Sequence, residues 1–166
     1  MANKQSFTPE EWNKIVESVM LSGMAVTAAD PSGLIGLVQE SFASGSSLFK
    51  AKSDPGAGEL VKAVVAEFET SDGRGRVQDA IKARFAGAKA GDVSKRSVDA
   101  LREASRILDS KAPQESAAFK QWLHTISENV AEAASEGGVL GFGGQRVSDS
   151  EKATLREIDK ALGVAA

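Results

Sequence analysis

Apolar residues recur along this chain at three- and four-residue spacing, and no stretch alternates convincingly as a strand does. The pattern therefore predicts helices. The first opens at Thr8-Pro9-Glu10-Glu11, with Thr8 as N-cap, Pro9 at the first helical position and Glu11 closing a capping box. Phe7 and Trp12 occupy the two positions of a hydrophobic staple. Trp12, Ile15, Val16, Val19 and Gly23 mark the buried face, and residues 19–29 are apolar or small on all sides, which suggests burial all round. Asp30-Pro31 and Asp54-Pro55 repeat the N-cap and first-turn signal. Each is followed by an apolar stripe, Leu34, Ile35, Leu37, Val38 and Phe42 after the first, then Leu60, Val61, Val64, Val65 and Phe68.

Ser71-Asp72-Gly73-Arg74-Gly75 has the composition of a turn. Val77, Ile81 and Phe85 then define a helix that ends near Gly87, and Val98, Leu101, Ser105 and Leu108 define the next. Pro113 opens the longest helix, over 113–135, about 35 Å at 1.5 Å per residue. Its core face reads Phe119, Trp122, Leu123, Ile126, Val130 and Ala133. Ser148-Asp149-Ser150-Glu151 is a second capping box, Leu155, Ile158 and Leu162 carry the last helix, and Gly163 stops it. The expected fold is all-α: a single domain over 1–166, about seven helices around the long helix 113–135. Glycine and polar residues near 70–75 or 88–93 offer the alternative of two lobes.

The 166 residues suit one domain, and 42% hydrophobic with 26% charged is ordinary for a globular protein. A net charge of −3 supplies no basic excess for a phosphate backbone, so no nucleic-acid partner is expected. With no cysteine, disulfides, thiol catalysis and thiolate metal sites are excluded. The first residues lack an apolar leader segment, and the most apolar stretch, 19–26, is far short of the roughly 20 residues of a membrane span. A cytoplasmic location follows as the expectation.

The nearest thing to a chemical signature is the run 136–148, in which Gly137, Gly138, Gly141, Gly143 and Gly144 sit between two helical patterns. Read as a site, it is an anion-binding loop. The backbone N–H groups of Gly141, Gly143 and Gly144, with Arg146 and Ser148, would meet the ligand at the start of the last helix. Read as packing, Val139, Leu140 and Phe142 plug the core and Ser148 only caps the helix. The packing reading is favoured, because the run follows a helix rather than a strand and lacks the Lys-Ser/Thr pair of a phosphate loop.

His124 is the only histidine, and the helical wheel sets it with Lys120, Glu128 and Glu132 on the side away from Ile126. That row reads as a solvated charged face rather than as a metal site of His124, Glu128 and Glu132. Arg102, Arg106, Lys95 and Lys111, interleaved with Asp99, Glu103 and Asp109, read as a salt-bridged surface. One histidine on a face read as solvated gives little support to a Ser-His-Asp triad, so no catalytic residue is assigned.

Glu11-Trp12, the segment 28–33 and the run 136–148 with Glu151 together resemble an uncharacterised bacterial family of small all-helical proteins. The segment 151–163 is similar to the end of TerB-type tellurite-resistance proteins. That resemblance implies a helical, stress-associated protein that binds metal through acidic loops. Here the loop before the helix carries Gly143-Gly144-Gln145-Arg146, and only Asp149 and Glu151 remain as ligands. Ca²⁺ wants six to eight oxygens, so neither a tight metal site nor any cofactor is expected. The function expected is a non-enzymatic binding module for a protein or small-ligand partner. The alternative is an enzyme or metal-binding protein using carboxylates in an interhelical pocket.

Overall fold

Two helix starts are written into the sequence by their capping boxes, and the computed structural model, which describes residues 2–29, 57–136 and 147–165, places both there. After a short 3-10 turn at Lys4–Ser6, α1 runs Pro9–Thr27. Thr8 Oγ1 accepts from the Glu11 N–H, and Glu11 returns a carboxylate to the Thr8 N–H at 2.8 Å. Phe7 packs on Trp12 with ring centroids 5.7 Å apart, as the staple requires. The remaining helices are α2 (Glu59–Glu69), α3 (Ser71–Phe85), α4 (Ala90–Lys111), α5 (Pro113–Glu136) and α6 (Asp149–Leu162). The fold is all-α, with six α-helices among the described residues and no strand. The expected helix over residues 34–42, both Asp-Pro starts and the glycine run 137–146 lie outside the described residues.

One apolar core takes side chains from all six helices. Ile15, Val19 and Val26 of α1, Leu60 and Val64 of α2, Leu101 and Leu108 of α4, Phe119 and Leu123 of α5, and Ile158 and Leu162 of α6 are sealed from solvent. α1 touches every other helix, α4 also packs on α5 and α6, and α5 reaches α2 and α6. The stripe of α5 departs from expectation at its end. Ala131 is buried and Ala133 exposed, because a 3.6-residue period carries the row 119, 123, 126, 127, 130 on to 131. Trp122 is half-buried, edge-on to Phe119.

The expected turn at 71–75 is instead the first turn of α3. Thr70 alone makes the corner. Its hydroxyl donates to the Glu67 carbonyl and accepts from the Gly73 N–H at 3.0 Å. Gly73 is what lets the two helices meet so abruptly, for a Cβ there would stand 1.9 Å from the Glu67 carbonyl oxygen. At the start of α2, Gly58 has no side chain to cap with, and Glu115 of α5 accepts from the Leu60 N–H at 3.2 Å. Glu67 ties the corner to the N-terminal turn, accepting from Lys4 Nζ, Trp12 Nε1 and Arg76. Burial pushes its carboxyl up, but the hydrogen bonds from Lys4 and Trp12 and the charges of Lys4 and Arg76 outweigh that and hold it below the ordinary range. At the far end, Gly163 takes φ +70° and its N–H returns to the Asp159 carbonyl, closing α6.

Candidate functional site

On one face of α1, Glu10, Asn13, Lys14 and Glu17 follow at three- and four-residue steps. Across from them stand Ala80, Ala83 and Arg84 of α3 and Arg96 and Asp99 of α4. Together they line an open groove of about 620 Å³, within the size range of small-molecule sites. Glu17 is buried, and its two carboxylate oxygens accept from Arg84 Nε at 2.6 Å and Nη2 at 2.9 Å. This is the bidentate geometry that guanidinium and carboxylate favour. The hydrogen bonds from Arg84 to Glu17, reinforced by the charges of Glu17 and Glu103, hold the guanidinium above its usual value against the opposing pull of burial. Arg96 Nη1 donates to the Arg84 carbonyl at 3.1 Å, placing a cation at the negative end of α3. Lys14 pairs with Glu103 at 2.6 Å and Asp99 with Arg102 at 2.6 Å. Among the described residues, Glu10 and Arg96 have no ion-pair partner.

A second polar cluster lies where α4, α5 and α6 meet. Lys120 and His124 are not on a solvated face. Each is 8% exposed, because α4 and α6 cover the side of α5 that a single-helix wheel assigns to solvent. Lys120 Nζ lies 2.7 Å from both oxygens of Asp109, and Ser116 Oγ donates to the same carboxylate at 2.6 Å. The hydrogen bond from Lys120, then that from Ser116, holds the Asp109 carboxyl below its ordinary value. One turn on, His124 Nδ1 sits 2.7 Å from Asp159 Oδ1 of α6, and Nε2 sits 3.3 Å from Glu128 Oε2. The Nδ1 to Oδ1 approach is close but not aligned as a hydrogen bond, and neither atom has another hydrogen-bond partner among the described residues.

A histidine between two carboxylates is half of an acid–base arrangement, but nucleophilic catalysis also needs a hydroxyl held against it. Of the buried serines on these helices, Ser97 Oγ of α4 has no hydrogen-bond partner among the described residues, and the other three are engaged elsewhere. Ser127 Oγ donates to backbone carbonyls of Ser22 and Leu123, Ser105 Oγ to the Leu162 carbonyl, and Ser116 to Asp109. Among the described residues no three His, Asp or Glu side chains converge on a point where a metal would sit, so His124, Glu128 and Glu132 do not assemble a site.

Of the residues singled out from sequence, Gly141, Gly143, Gly144 and Arg146 lie outside the described residues, as does Phe142. Ser148 is the N-cap of α6. Its hydroxyl accepts from the Glu151 N–H at 3.2 Å, and Glu151 accepts from the Ser148 N–H at 2.7 Å. Glu151 is buried in that cap, whereas Asp149 is exposed and 3.8 Å from Lys152. The two carboxylates are thus put to separate uses and are not brought together. Of the basic strip on α4, Lys111 lies 3.7 Å from Glu11 and Arg102 2.6 Å from Asp99, whereas Lys95 and Arg106 have no ion-pair partner among the described residues. Sequence reasoning missed Glu17 and Arg84. The available signal was a lone carboxylate at Glu17, inside a run of otherwise apolar and small positions on α1.

Among the described residues no helix is long and apolar enough to cross a membrane. No protein-family model matches the chain, and no curated protein or solved structure does either.

Proposed function

We propose that this chain is a non-enzymatic binding module of the bacterial cytoplasm whose ligand seat is the groove between α1, α3 and α4. One observation carries the reading. The Glu17–Arg84 fork is already formed in the lining of an open groove of about 620 Å³, so that part of the wall is organised before any ligand arrives. Small polar molecules screened by amide chemical shifts should perturb residues 10–17, 80–84 and 96–99 together. Ligands that perturb only other regions, or none that perturb this one, would refute the proposal. The likeness of 151–163 to TerB-type proteins supports a stress-associated role. Deletion of the gene should then sensitise its host to tellurite or oxidative challenge.

The opposing reading is an enzyme using inward carboxylates. Glu17 is such a carboxylate and lines the groove, which favours it. Both of its oxygens already accept from Arg84, so a substrate would have to share or displace that fork to use Glu17 as a base. A turnover abolished by Glu17→Gln, with the fold intact, would decide for the enzyme.

A further inference from the structure

We infer that the groove receives a small organic zwitterion, an ammonium and a carboxylate joined by a short aliphatic chain. This rests on the groove being the ligand seat. Its walls carry three cations, Lys14, Arg84 and Arg96, and three carboxylates, Glu10, Glu17 and Asp99. Four of the six are already neutralised: Glu17 and Arg84 by each other, Lys14 by Glu103, and Asp99 by Arg102. What remains is one carboxylate, Glu10 on α1, and one guanidinium, Arg96 on α4. Arg96 spends one bond on the Arg84 carbonyl and has further donors on its guanidinium fork.

The residual pair, both exposed and able to reach a ligand, favours one ligand class. An anion seated on Arg96 alone would lie in a cleft that also holds the unpaired charge of Glu10, and a cation on Glu10 would meet the reverse problem at Arg96. A molecule bearing both charges satisfies both groups and leaves the groove neutral. The aliphatic joint has somewhere to lie, since the lining residues Ala80 and Ala83 have methyl side chains.

The test uses a length series of ω-amino acids: glycine, β-alanine, 4-aminobutyrate and 6-aminohexanoate. Hexanoate and hexylammonium serve as single-charge controls. Each is titrated into the full chain at low salt and followed by the amide signals of residues 10–17, 80–84 and 96–99. The expected result is an affinity that peaks at one chain length and exceeds both controls at least tenfold. Arg96→Gln and Glu10→Gln should each weaken it at least tenfold. The second variant guards the first, because Glu10→Gln leaves the Arg96 bond to α3 untouched. Equal binding of hexanoate, or indifference to either substitution, overturns the zwitterion. If other small molecules perturb the groove and no member of the series does, this inference fails while the groove remains the ligand seat. If nothing perturbs it, both fail.

Discussion

Replacing Arg84 with Met tests whether the fork is a structural necessity or only a surface ornament. Met keeps most of the aliphatic stem and removes both donors, so the packing loss is small. What remains is the Glu17 carboxylate, 5% exposed on its side chain, without its ion-pair partner. Removing one partner of a buried ion pair costs about 3–5 kcal/mol. Arg84 is 26% exposed, so water reaches part of the site and the low end applies, about 3 kcal/mol. For a chain of this size each kcal/mol moves Tm by roughly 2–4 °C, so Arg84→Met should melt roughly 6–12 °C lower. Glu17→Met combined with Arg84→Met removes both charges and should return to within about 1 kcal/mol of the parent. Urea unfolding of the parent, Arg84→Met, Glu17→Met and the double variant gives the cycle directly, with unchanged m-values as the control for compactness. A single variant within 1 kcal/mol of the parent would refute the reasoning, as would a double variant no better than the single one.

Ser148→Ala removes the cap of α6 and should cost about 1 kcal/mol, with faster hydrogen exchange confined to the first turn of that helix. Asp109 titrates below its ordinary value of 3.8 in the fold, so its contribution is fully present above that pH and is lost as pH falls through the lower folded value. The stability advantage of the parent over Asp109→Asn should therefore hold at pH 6 and shrink below about pH 4 in acid titrations followed by circular dichroism. Calcium titrated calorimetrically into metal-free protein should give no stoichiometric heat, since Glu151 is engaged in the helix cap. Micromolar binding lost in Asp149→Asn would overturn that.

Two helix starts were legible because a cap is a local device. Thr8 with Glu11 and Ser148 with Glu151 each lie within four residues, and both boxes form as the sequence implies. The buried stripes of α2, α4 and α6 were legible for a similar reason, since period alone selects a face. What the sequence hid was what covers each face. Lys120 and His124 look exposed on a wheel of α5, and only the arrival of α4 and α6 encloses them. Glu17 meets Arg84 across 67 residues of chain, which no local pattern encodes. The corner at Thr70 failed in the other direction: Ser, Asp and two glycines spell a turn, but packing extends the helix through them. The candidate groove is assembled from three helices by tertiary contact, so its lining could not be read ahead of the fold.

Gly73 carries a consequence for how such sequences can drift. A side chain of any kind at this position would strike the backbone of Glu67, which no rotamer can move aside. Neighbouring Gly75 has open space around the same atom, and so does Gly91. Of two glycines separated by one residue in one helix, one is free to vary and the other is not. As descendants of this chain accumulate, position 75 should fill with alanine and longer helix formers, while position 73 stays blank for as long as the α2–α3 corner exists.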